Sequence, residues 1–220
     1  MPAEEPRERK GILRRIVGAF RRRPPAQKPA PEPAKSFEEQ VEGLMHSWAQ
    51  ERRHAAYALG ERRDVRAIPH LLEAIQDSDK RMKAGVAEAL GKIGHESAVP
   101  AIAELLRHED SGVRLYAAGA LGEIGHESVI PHLVKAIEDE DRFVRSNAAK
   151  GLEKIYEAAK EKGVETKEGK ALLLVWPYLH KEAEPKIIRQ AYLEALKGKV
   201  TKENVRLYVK QLHALEGKLK

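Results

Sequence analysis

Apolar residues fall into two kinds of stripe that alternate along the chain, each close to the i, i+3, i+4, i+7 spacing of one helix face. One example of each kind is Ile68, Leu71, Leu72 and Ile75, then Met82, Val86, Leu90 and Ile93. Both stripes recur with a period of 31 residues, most clearly over residues 55–155. The pattern therefore predicts a tandem array in which each unit is a pair of helices.

Columns of identical residues share this 31-residue period. The first turn of each first helix has a proline, at Pro69, Pro100 and Pro131. The N-cap of each second helix is an aspartate, at Asp79, Asp110 and Asp141. A glycine follows the second helix at Gly94 and Gly125. One helix pair cannot bury its apolar face alone. We therefore predict an all-α fold, a right-handed α-solenoid of stacked antiparallel helix pairs.

The array is predicted to span residues 36–197, with about five helix pairs and a degenerate first pair whose end Trp48 covers. A charged insertion is predicted at about 157–170, after which the register returns with a shift of 44 residues. Residues 198–220 are expected to hold a polar C-terminal capping helix.

The chain has no cysteine, so disulfides, thiolate nucleophiles and Cys-ligated metal sites are excluded. It has no apolar run of the roughly 20 residues that a membrane-spanning helix needs. No phosphate loop, dinucleotide fingerprint or nucleophile elbow is present. We expect a cytoplasmic protein with no catalytic residue, no cofactor and no metal.

The net positive charge of the chain comes from its N-terminal segment. Residues 1–35 contain ten Lys or Arg and four Glu, which leaves 30 of the 40 basic and 30 of the 34 acidic residues in 36–220. Residues 24–35 form a proline-rich linker, and residues 1–23 form a basic tail that is amphipathic when helical. We expect this tail to be largely disordered until it binds.

The tail residues expected to attach to a binding target combine an apolar stripe with a basic cluster: Ile12, Leu13, Arg14, Arg15, Ile16, Val17, Phe20, Arg21, Arg22 and Arg23. An anionic membrane surface would use both features. A protein groove would take Ile12, Ile16 and Phe20 as anchors. Nucleic acid would use the cations but leaves the apolar stripe unexplained. A solvated extension without function is the fourth alternative.

The unit at residues 113–125, VRLYAAGALGEIG, followed by VIPHL at 129–133, resembles the HEAT-like repeat of phycobilisome-lyase type. That family includes adaptor and scaffold proteins, chromophore lyases and a di-iron hydroxylase that acts on a modified lysine. The resemblance implies the solenoid fold but does not decide the function.

In the hydroxylase, His-Glu pairs follow the Val-Arg of several repeats and bind two irons. The matching pairs here are Arg53-His54, Ala84-Gly85, Leu115-Tyr116 and Ser146-Asn147. None is His-Glu, so the resemblance does not extend to the iron ligands. It does imply that these positions face the concave groove, where His54, Leu115, Tyr116, Ser146 and Asn147 become candidate partner contacts.

Two further sets of residues have two interpretations each. A basic column is formed by Lys83, Arg114, Arg145 and Arg189. It either binds an acidic partner or binds carboxylates and helix ends within the array, where Asp77 and Asp139 are available to Lys83 and Arg145. His95-Glu96 and His126-Glu127 either hold a divalent metal or cap the turn before a first helix.

These features together predict a non-enzymatic scaffold, most simply a monomer, that binds a protein partner through its concave face. The basic tail would tether it to an anionic membrane or to a second partner. Nucleic-acid association through the tail is the alternative, followed by a metal-dependent hydroxylase or a chromophore lyase.

Overall fold

The computed structural model describes residues 35–163, 166–179 and 185–217, and within these ranges the chain is α-helical without strands. The helices are α1 (Phe37–Gly43), α2 (Ala49–Arg62), α3 (Ile68–Ala74), α4 (Lys80–Ile93), α5 (Val99–Leu105), α6 (Ser111–Ile124), α7 (Ile130–Ala136), α8 (Arg142–Lys162), α9 (Lys167–Leu179), α10 (Pro185–Leu196) and α11 (Val205–Gly217). They form five helix pairs followed by a single helix, which confirms the predicted solenoid.

The helices begin and end where local chemistry predicts. Ser36 opens α1 with a reciprocal capping box to Glu39. The side chains of Asp79, Asp110 and Asp141 accept backbone N–H groups at the start of α4, α6 and α8. At the other end, Gly94 and Gly125 terminate α4 and α6 in the left-handed conformation. The predicted caps are therefore confirmed.

The second helices of successive repeats pack directly on one another through small residues. A Cβ added to Gly60 or Gly91 would lie 2.7 Å from the Cα of Ala89 or Ala120, respectively. At the next step Gly122 faces Gly151 with a corresponding distance of 2.9 Å. Because the first helices are not packed together in this way, the exposed side of the second helices forms the inner face of the stack.

The core is a continuous row of aliphatic side chains between first and second helices. Leu59, Leu90, Leu121 and Leu152, which share the 31-residue register, are all fully buried. From the sequence, the aromatic residues Trp176, Tyr178 and Tyr192 of the last pair are expected to be core or capping residues, and Trp176 and Tyr192 are buried. The side chain of Tyr178 lies outside the described part of the structure.

The ends of the array differ from the regular repeats. Helix α8 continues through residues 157–162 of the predicted insertion, because Ile155 and Ala159 extend its buried stripe. At the N-terminal end the prediction for Trp48 is wrong. Trp48 is 72% exposed, because it occupies the N-cap position of α2 rather than a place over the core.

Residues 1–34 lie outside the described residues. They include most of the linker and every predicted tail attachment residue, so those predictions remain untested. Among the helices that the structure describes, none combines the length and the apolar character needed to cross a membrane.

Candidate functional site

Arg114 of the basic column links two successive repeats. Arg114 is only 6% exposed, and its guanidinium binds Asp139 in the following repeat with N–O distances of 2.8 and 3.0 Å. Its Nη1 also donates to the carbonyls of His108 and Glu109 in the turn before α6. Hydrogen bonding to Asp139 raises the pKa of Arg114 further. Of the two interpretations of the column, the contacts favour binding within the array.

The same contacts recur in alternate repeats. Arg52, one period before Lys83, binds Asp77 and the carbonyls of His46 and Ser47. Arg145 donates to the carbonyls of Asp139 and Glu140, and Lys83 donates to the carbonyl of Ile75. The predicted side-chain pairs, Lys83 with Asp77 and Arg145 with Asp139, are therefore wrong by one repeat. Asp77 and Asp139 instead bind Arg52 and Arg114 of the preceding repeat, because the turn that carries each aspartate lies beside the start of that repeat's second helix.

The positions that face this column alternate between histidine and aspartate. His46, Asp77, His108 and Asp139 share the 31-residue period, and each accepts the backbone N–H two residues ahead. An arginine of the preceding repeat pairs with each aspartate. Where the acceptor is His108, the residue of the preceding repeat is Lys83, which bonds within its own repeat.

The two His-Glu pairs act as turn caps. The Nδ1 atoms of His95 and His126 accept the N–H groups of Ser97 and Ser128, in the position that Asp64 occupies one repeat earlier. His126 Nε2 also lies 3.0 Å from Glu96 of the preceding repeat. No group of three potential metal ligands occurs among the residues that the structure describes.

The candidate site is a groove on the exposed side of the second helices. Two depressions, of about 310 and 660 Å³, share Glu88 and Tyr116 as lining residues. The smaller depression lies between α2 and α4, and the larger extends across α6 to α8. We call this continuous surface the second-helix groove. It crosses four consecutive repeats, so it is long enough for an extended segment or a helix of a partner.

Two tyrosines provide the exposed aromatic surface of the groove. Tyr57 is 51% exposed and Tyr116 is 46% exposed. The ammonium of Lys92 lies 3.9 Å from the centre of the Tyr57 ring and binds Glu61 at 2.8 Å and Glu88 at 2.9 Å. This network holds one face of Tyr57 and leaves the other open, so the ring is positioned before any partner arrives.

The carboxylate of Glu61, beside Tyr57, is stabilised in its charged form. Hydrogen bonds from Lys92 and then Tyr57 lower the pKa of Glu61. Burial would lower the pKa of Lys92, but its hydrogen bonds to Glu61 and Glu88 outweigh this effect and raise it. The pairing of Glu61 with Lys92 therefore stabilises the charged form of both side chains.

The residues predicted for the concave face separate into two groups. His54, Leu115, Tyr116 and Asn147 line the second-helix groove. Ser146 is exposed outside the lining, whereas Lys83, Arg114 and Arg145 point into the turns and bind there. Arg114 is too deeply buried to contact a partner, because its guanidinium can be reached only by displacing Asp139.

Several lining residues were missed from the sequence. They are Tyr57, Arg63, Arg81, Glu88, Lys92, Glu123, Lys150 and Lys154. Some carried a usable signal. Glu61, Lys92, Glu123 and Lys154 alternate in charge at the 31-residue period, and they pair as Lys92–Glu61 and Lys154–Glu123.

Similar solved structures share this architecture. The complex of CpcE and CpcF of phycocyanin lyase from a Nostoc species matches with a TM-score of 0.54 and 21% identity, over 78% of this chain and 68% of that chain. Human deoxyhypusine hydroxylase in complex with glycerol matches with a TM-score of 0.51 and 26% identity, over 68% of this chain. The matched part of the hydroxylase is 54% of its length, so the likeness covers about half of that enzyme.

No functionally curated protein gives a significant sequence match. The sequence model of the family described as HEAT repeats matches residues 41–114 and 99–197. These two segments include the three regular helix pairs from α3 to α8 and the last pair, α9 and α10, and they cover well over half of the chain. The chain therefore belongs to the family of HEAT-repeat proteins.

Proposed function

We propose that this chain is a non-enzymatic, most simply monomeric, scaffold that binds a protein partner in the second-helix groove. The observation that carries the proposal is the pair of exposed tyrosines, Tyr57 and Tyr116, in one continuous groove. Tyrosine gives a large contact area at low entropic cost and is enriched at the centres of protein interfaces. Neither ring is buried in the core, so the fold itself does not account for them.

Lining residues that are not needed for stacking support the same proposal. His54 and Lys150 are exposed, and Asn147 reaches the carbonyl of Leu115 at 3.3 Å without closing the groove. Stacking is provided instead by the buried row of leucines and by the ion pairs that Arg52 and Arg114 form with the following repeat. The groove can therefore vary its chemistry for a partner while the repeat geometry stays constant.

The two enzymatic alternatives have weaker support. At the positions that match the iron ligands of the hydroxylase, this chain has Arg53-His54, Ala84-Gly85, Leu115-Tyr116 and Ser146-Asn147. Their side chains offer one imidazole and no carboxylate, which does not suit a di-iron centre. Likeness to the lyase complex is below 25% identity and extends to the fold alone.

The groove is tested by quantitative recovery of bound proteins from cells of the source organism, using the tagged full chain. Tyr57→Ser with Tyr116→Ser should reduce recovery of the specific partner at least tenfold, because truncating a central interface tyrosine costs roughly 2 kcal/mol or more. Phe143→Ser is the matched control, since Phe143 is 56% exposed but lies outside the groove. Equal recovery with both variants would refute the proposal.

We further propose that the basic tail is a second attachment point, tethering the scaffold to an anionic membrane surface or to a second partner. The apolar stripe and the basic cluster of residues 12–23 support this, because an anionic bilayer interface uses both. Two attachment points on one chain raise the effective concentration of each interaction. Nucleic acid is the alternative target of the same cations, and a cytoplasmic location suits either.

Liposome co-sedimentation separates these targets. The full chain should pellet with anionic but not with neutral vesicles, and Ile16→Asp with Phe20→Asp should abolish pelleting. Under the alternative, the double variant would keep most of its affinity for nucleic acid, because the cations that neutralise phosphates remain. No sedimentation of the full chain with anionic vesicles would rule out the membrane tether.

A further inference from the structure

The charged residues of the second-helix groove are not balanced. Its carboxylates are already engaged, because Glu88 binds Lys92 at 2.9 Å and Glu123 binds Lys154 at 3.2 Å. By contrast Arg53, Arg81 and Lys150 form no ion pair with any of the described residues. Arg63 also forms no ion pair, but its charge acts on Glu61 and helps to lower the pKa of that carboxyl. The groove therefore presents three cations whose charge nothing within the described array neutralises.

These cations flank the exposed rings. Arg53, Arg81 and Tyr57 line the smaller depression, Lys150 lines the larger one, and Tyr116 belongs to both. A cleft lined by charges of one sign concentrates ligands of the opposite sign. The tyrosine rings add apolar contact, and the Tyr116 hydroxyl can donate a hydrogen bond to a carboxylate.

Resting on the proposed function, we infer that the protein segment bound in the second-helix groove is acidic. Its carboxylates pair with Arg53, Arg81 and Lys150, and its apolar side chains lie against Tyr57 and Tyr116. The guanidinium groups of Arg53 and Arg81 are suited to bidentate contacts with Asp or Glu.

The groove is less suited to nucleic acid. Nucleic acid carries a phosphate at every nucleotide, whereas the groove offers only a few unpaired cations among side chains that are already ion-paired. The array as a whole is also neutral, with 30 basic and 30 acidic residues in 36–220, whereas nucleic-acid surfaces carry a basic excess. A peptide can space its carboxylates to match three cations and avoid the glutamates.

The chain's own tail is an unsuitable occupant for the same reason. Residues 1–35 carry ten Lys or Arg against four Glu, so their charge has the same sign as the unpaired cations of the groove. Like charges disfavour docking of the tail. The inference therefore commits to a separate acidic protein segment.

Fluorescence anisotropy of the full chain tests the inference, with a fluorescein-labelled 15-residue peptide of Glu, Leu and Ala as the probe. Because the basic tail can also attract this probe, the comparison is between two variants with equal loss of charge. One combines Arg53→Ser, Arg81→Ser and Lys150→Ser in the groove. The other combines Lys135→Ser, Arg142→Ser and Lys186→Ser, which are exposed cations outside it.

We expect the groove variant to bind the probe roughly tenfold more weakly than the control variant, since each exposed ion pair contributes modestly and three are removed. The peptide with every Glu replaced by Gln should bind weakly, and added salt should weaken binding of the acidic probe. Equal affinities of the two variants would overturn the inference, as would tighter groove-dependent binding of a 15-nucleotide oligo-dT or of the Gln peptide. Equal melting temperatures verify that both variants fold.

Failure of this inference is distinguishable from failure of the proposed function. If recovery of the cellular partner depends on Tyr57 and Tyr116 but the acidic probe does not depend on Arg53, Arg81 and Lys150, the scaffold function stands and the inference falls. If partner recovery is also independent of both tyrosines, the proposed function falls as well.

Discussion

At the scale of single residues, the stack depends on glycines that allow close helix approach. Gly60, Gly91 and Gly122 each face the backbone of the next second helix, at a position where any Cβ would overlap it. The next residue in this column is Glu153, and there the 31-residue period ends. Regular stacking of second helices therefore stops where the small residue is lost.

Gly91→Ala should destabilise the protein by about 1–2 kcal/mol. Overpacking of a tight contact costs about 1–3 kcal/mol, and the better helix propensity of alanine offsets up to about 1 kcal/mol of it. Gly119→Ala is the control, because its Cβ would meet only the amide nitrogen of Asn147, at 3.3 Å. Urea denaturation should show a loss for the first variant and none for the second; equal effects would contradict the packing argument.

Arg63 takes the left-handed conformation with φ of 52°, in the position that Gly94 and Gly125 occupy at the ends of α4 and α6. A non-glycine residue there costs about 1–2 kcal/mol of strain. Arg63→Gly should therefore raise the free energy of unfolding by up to about 1 kcal/mol, whereas Gly94→Ala should lower it. Thermal unfolding of both variants checks the opposite signs, and a loss of stability in Arg63→Gly would contradict the expectation.

At the scale of helices, the turn between first and second helix is closed by side chains rather than by the backbone alone. In each regular repeat an Asp caps the second helix, and a His or Asp two residues earlier accepts that Asp's N–H. Helix ends were predictable because capping is local in sequence. Which aspartate each arginine binds was not predictable, because Arg114 and Asp139 are 25 residues apart and only the packing of successive repeats brings them together.

Arg114→Ala should cost about 3 kcal/mol, because it leaves the carboxylate of Asp139, which is 11% exposed, without its cation. The double variant Arg114→Lys with Asp139→His reproduces the Lys83 and His108 combination of the preceding repeat. It should be more stable than the sum of the two single changes predicts, by at least about 1 kcal/mol. A double-mutant cycle in urea measures this coupling, and additive effects would contradict the alternating pattern.

At the scale of the molecule, the repeat period was sufficient to predict the fold, because five stacked pairs repeat one set of local rules. The groove was only partly predictable. Tyr116, Asn147 and the position of Arg53 follow from the resemblance, but the exposed residues Tyr57 and Arg81 occupy columns in which each repeat carries a different residue. Exposed positions are free of packing constraints, so periodicity carries little information about them.

The central claim is that a partner lies in the second-helix groove. Tyr116, which lines both of its depressions, is therefore the best position for a photo-crosslinking probe. We would place p-benzoyl-phenylalanine at position 116 of the full chain, and at position 143 as the control, and irradiate in cells of the source organism. The account predicts a discrete protein adduct from position 116 that position 143 does not give. The same adducts from both positions, or an adduct from position 143 alone, would contradict it.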